Sequence, residues 1–148
     1  MNRTYDIEQL IEQGEVIEIS PQGYSMYPLI VPGRDTAVIQ RVNVNAIRRG
    51  DVILYRRPQD ILVLHRVYKR TKAGLYLVGD NQKEIEGPIS DEQVRGIMCG
   101  IRRKGREISV QHPIYRLLTG IWLWMRPLRF AIMRPLAAIK RGLKKLRI

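Results

Sequence analysis

The run Gly50-Asp51-Val52-Ile53-Leu54-Tyr55-Arg56-Arg57-Pro58-Gln59-Asp60-Ile61-Leu62-Val63-Leu64-His65-Arg66-Val67 decides the fold. It holds two short apolar blocks, closed by Gly50 on one side and split by Pro58. Blocks of this kind, bounded by turn residues, predict strands over 51–56 and 61–69. The same pattern recurs outward, at 36–42, 75–78, 94–102 and 107–110, with Gly33, Gly74, Gly79 and Gly105 as punctuation. Upstream, Ile7, Leu10 and Ile11 share one side of a short helix predicted over 6–13, which Gly14 ends. Residues 15–20 alternate and predict one more strand. Many short strands separated by turns imply a compact, mainly β domain. Helical spacing returns only after Pro113, so the expected division is a domain over 1–112 and a helical tail over 113–148.

The chain has 148 residues, enough for one domain with a proper core. Its single cysteine, Cys99, excludes an intrachain disulfide and reads as a small core side chain. No His/Cys cluster has metal-ligand spacing and no glycine loop suits a phosphate, so no metal and no cofactor are expected. The net charge of +12 is unevenly placed. Nine basic residues and no acidic one lie between Pro113 and Ile148. Leu128, Ile132, Leu136, Ile139, Leu143 and Leu146 recur at helical spacing, as do Ile114, Leu117, Leu118, Ile121, Trp122 and Met125. Pro127 should separate the two helices and Pro135 should kink the second. No apolar run reaches the length of a membrane span. A basic amphipathic tail instead suits an anionic membrane surface, so the expected location is cytoplasmic and peripherally membrane-associated. The aromatics lie in an apolar stretch and do not alternate with basic residues, so no nucleic acid is expected as a partner.

Three short segments carry chemistry. In Gly23-Tyr24-Ser25-Met26-Tyr27-Pro28, a serine sits on a constrained turn where a nucleophile can be exposed. In Leu64-His65-Arg66-Val67, an imidazole lies within an apolar strand, as a base or as a bonded core side chain. In Gly79-Asp80-Asn81, the carboxylate could fix an imidazole, although the tripeptide is also plain turn chemistry. The segment 50–55 reads as scaffold.

Taken in order, these boxes resemble the signal peptidase I family: Ser-Met-x-Pro, Gly-Asp before a strand, Lys-Arg or His-Arg, then Gly-Asp-Asn. The resemblance covers roughly 22–106. With His65-Arg66 in the third box, the chain is similar to the histidine-type members, those of the endoplasmic-reticulum type with their archaeal and some Gram-positive bacterial relatives. The resemblance implies a serine endopeptidase that removes signal or leader segments from a peptide or protein precursor, held as an added strand. It gives Ser25 the nucleophile's role, His65 the general base's, and the Ser25 backbone a part in the oxyanion hole. The family often has a serine two residues before the nucleophile, where this chain has Gly23. The acid of the triad is Asp80 or Glu86, with Asp80 favoured because its motif is intact. The usual N-terminal membrane anchor is not expected. Other expectations remain open: a self-cleaving regulator, which shares the Gly-x-Ser-Met turn, or a catalytically inactive family member that binds membrane or nucleic acid.

Overall fold

A computed structural model describes residues 3–128, 131 and 142 of the chain. The elements run α1 (Arg3–Glu12), β1 (Ile17–Ile19), β2 (Asp35–Gln40), β3 (Val52–Arg56), β4 (Leu62–Thr71), β5 (Gly74–Val78), β6 (Glu86–Ile89), β7 (Val94–Arg103), β8 (Arg106–Ser109) and α2 (Pro113–Trp124). The strands form one sheet in the order β1-β2-β7-β3-β4-β5-β6, with β8 also on β7. Every pairing is antiparallel. The expected mainly β domain followed by a helix is the observed architecture.

Both faces of the central strands are covered, which explains why β3 reads as a continuous apolar run. Val52 and Leu54 pack with Ile11, Met26, Ile30, Ile39 and Met98 on one side. Ile53 and Tyr55 pack with Val67, Leu75, Leu77 and Ile89 on the other. Side chains on a strand alternate between faces, so this split fixes the orientation of every neighbour in register.

β6 was not expected. It contains Gly87 and Pro88, but the strand pairs only with β5 and lies at the sheet edge, where a proline costs no ladder bond. At the other end of the domain, His112 caps α2: its Nδ1 accepts from the Ile114 N–H at 3.2 Å, with Pro113 in the first turn of the helix. α2 ends at Trp124 with Met125 as its cap, and helical backbone resumes at 126–128, with Pro127 in this new turn. The expected stripe from Ile132 to Leu146 and the kink at Pro135 lie outside the described residues.

Candidate active site

The four sequence boxes are joined by hydrogen bonds. The Gly50 N–H donates to the Val67 carbonyl at 2.9 Å, and the Val67 N–H to the Asp51 carbonyl at 2.7 Å. Arg66 Nη1 donates to the Gly50 carbonyl at 2.7 Å. Its Nε and Nη2 donate to the two Asp80 carboxylate oxygens, both at 2.8 Å. The Asn81 N–H in turn donates to the Ser25 carbonyl at 2.8 Å. Met26, 2% exposed, plugs the next position of the serine loop into the core. Farther along, Asp35 accepts from the Val31 N–H, Arg34 and Arg103, while Arg103 also reaches the Leu29 carbonyl. Burial alone would raise the Asp35 carboxyl, but these donors outweigh it and bring its pKa down to about 2. The serine loop is therefore held at both ends.

Strand register explains which side chains meet. Ile53 lies opposite His65, and Arg66 opposite Val78. One residue farther, Gly79 falls opposite His65 and on the same face. A Cβ on Gly79 would lie 2.7 Å from the Ser25 carbonyl oxygen. The backbone of Ser25 is thus seated against Gly79, just past the end of β5. Among the described residues, Ser25 Oγ makes no hydrogen bond to His65, and the Ser25 N–H donates to no other group.

Alternation also explains a difference from expectation. His65 and Arg66 are neighbours and point to opposite faces; Gly79 and Asp80 do the same. Asp80 therefore pairs with Arg66, both fully buried, and not with the imidazole. Burial works against the Arg66 charge, but Asp80 more than compensates and raises its pKa. Asp80 acts here as a strut that orients the Gly79–Asn81 turn under Ser25.

The groups that do share the face of His65 are Tyr55, in phase with Ile53, and Glu86, opposite Leu77. Tyr55 Oη lies 3.2 Å from His65 Nδ1 and donates to Glu86 Oε2 at 2.5 Å. Arg57 grips the same carboxylate with two bonds of 2.9 and 2.8 Å. Burial pushes the Glu86 carboxyl up, yet the Arg57 and Tyr55 bonds hold it below its usual range. It is ionised and can only accept. The one Tyr55 proton goes to it, and burial together with this bond raises the phenol pKa, so it stays protonated. A Tyr55 lone pair is then left for Nδ1–H of His65. This assigns the proton to Nδ1 and leaves Nε2 free to accept one. Burial, then the Arg57 charge, lower the His65 pKa to about 4, so the ring is neutral at pH 7. A cavity of about 560 Å³, lined by Arg57, His65 and residues 82–86, opens on the imidazole.

Sequence reasoning brought out Ser25, His65, Asp80 and Glu86 but read Tyr55 only as scaffold. The available signal was its two-residue step from Ile53, which puts it diagonally across from His65. Among the described residues, no group of acidic, histidine and cysteine side chains could hold a metal ion.

No protein-family model matches the chain. No solved structure matches it. It is 32% identical over 83 residues to Signal peptidase I W of Bacillus subtilis (strain 168), a stretch covering 53% of this chain and 44% of that protein. The chain thus matches less than half the length of its relative, and over about half of its own length it is similar to a signal peptidase I.

Proposed function

We propose that this protein is a serine endopeptidase of the signal-peptidase kind, histidine-type, acting on signal or leader segments of peptide precursors. Ser25 Oγ attacks the scissile carbonyl carbon and passes its proton to His65 Nε2. The protonated ring returns that proton to the leaving amine as the C–N bond breaks. Water then attacks the acyl-Ser25 ester, again giving its proton to Nε2, and releases the acid and free Ser25. The unengaged Ser25 N–H is the first donor for the oxyanion. Glu86, acting through Tyr55, takes the orienting role of the triad acid.

One observation carries this reading: the Ser25 carbonyl lies against Gly79, which follows Val78, the strand partner of Arg66 next to His65. The likeness to a signal peptidase supports the substrate class. The test is cleavage of precursor peptides followed by mass spectrometry. Ser25→Ala and His65→Ala should each lose on the order of 10³-fold in turnover, and their losses should not add. A Ser25→Ala protein that cleaves at the normal rate would refute the assignment.

A further inference from the structure

The outer face of α2 is apolar along its whole length. Ile114, Leu117, Leu118, Ile121 and Trp124 recur at steps of three, one, three and three, and all are exposed, Trp124 at 76%. Leu128, just beyond the end of α2, is also exposed. The opposite face is already committed to the domain. Thr119 and Leu123 are buried, Trp122 Nε1 donates to the Asp80 carbonyl at 2.9 Å, and Arg126 donates to the Lys83 carbonyl. Of the two tryptophans of α2, Trp124 is exposed, while Trp122 is a structural tie. Rotating the helix to bury the stripe would break that tie.

We propose that this face docks on an anionic lipid bilayer, with Leu117, Ile121 and Trp124 lying among the upper acyl chains. Charge selects the occupant. From Ile108 to the C-terminus there is no acidic residue, and 113–148 carries nine cations. A second copy meeting this face would set nine cations against nine. Folding 129–148 back over the stripe would crowd its seven cations against Arg116 and Arg126. An anionic bilayer offers apolar depth for the stripe and negative charge for the arginines at once. Tryptophan is at home at that boundary. No helix among the described residues is long and apolar enough to cross a membrane.

The test uses the full chain with vesicles of phosphatidylcholine alone or with about a third phosphatidylglycerol. The protein should co-sediment with the anionic vesicles, bind the neutral ones weakly, and lose its preference for the anionic ones in high salt. Brominated lipid should quench its tryptophan emission. Trp124→Phe should still bind but lose most of that quenching, because Trp122 faces inward. A Leu117→Glu/Ile121→Glu protein should bind more than roughly tenfold more weakly, with an unchanged circular dichroism spectrum and unchanged serine-probe labelling. Three results would overturn the proposal: binding without quenching of Trp124, binding undiminished in the double variant, or a soluble dimer that the double variant dissociates. None of these readouts depends on proteolysis, so the peptidase assignment stands or falls separately.

Discussion

At the residue scale, the site turns on where four side chains point. His65 was legible as a candidate base because a histidine within an apolar strand needs a reason. Its partner was less legible. Asp80 has the intact motif, yet strand alternation sends it to Arg66, whereas Glu86 reaches the ring through Tyr55. Asp80→Asn should therefore act first on stability: it leaves the Arg66 charge buried without its counter-ion, a loss of about 3–5 kcal/mol in denaturant unfolding. Glu86→Gln and Tyr55→Phe should act first on turnover, lowering it on the order of tenfold or more with little change in unfolding midpoint. Nitrogen NMR adds a readout that a purely structural role would not move. His65 should carry its proton on Nδ1 in the native protein, and Tyr55→Phe should relax that preference. If Asp80→Asn instead lowers turnover at unchanged stability while Glu86→Gln is silent, the acid is Asp80.

At the scale of elements, the strands were readable because their apolar blocks end at Gly and Pro. Observed and expected bounds for β2, β3, β5 and β7 differ by one or two residues. β6 escaped because an edge strand tolerates the very residues that mark a turn elsewhere. The contact between turn and turn was also beyond reach, since no periodicity predicts that Gly79 lies beneath Ser25. This contact makes a sharp prediction. An alanine at 79 would set its Cβ 2.7 Å from both the Ser25 carbonyl and Gln82 Oε1. Backbone must move, and the Ser25 carbonyl would be pushed off its seat. Gly79→Ala should lose turnover on the order of a hundredfold, with secondary structure intact by circular dichroism. Wild-type turnover in that variant would mean that the loop does not need this seat.

At the scale of the whole molecule, two buried groups set the response to acid. The folded His65 has its pKa near 4, below the ordinary 6.5. Between those values the unfolded chain binds more protons, so stability rises with pH through this window and is complete above it. As pH falls from 6.5 toward 4, roughly 3 kcal/mol should be lost from this group. Asp35 adds a second, lower window: its folded pKa of about 2 gives stability that is present above the ordinary carboxylate range and is lost as pH falls through 2. Equilibrium unfolding across pH 3–7, compared with His65→Gln, checks the first window: the variant should lose the slope between 6.5 and 4.

Catalysis and stability then share one group, and one measurement tests it most directly. A fluorophosphonate reacts with a serine only when a neighbouring base takes its proton. Its rate of attachment should be followed against pH, with the modified residue located by peptide mass spectrometry. The account predicts a label on Ser25, a rate that holds from neutral pH down to about 5 and falls toward 4, and no label in Ser25→Ala or His65→Ala. Attachment to another serine, or labelling of Ser25 that persists unchanged in His65→Ala, would contradict it.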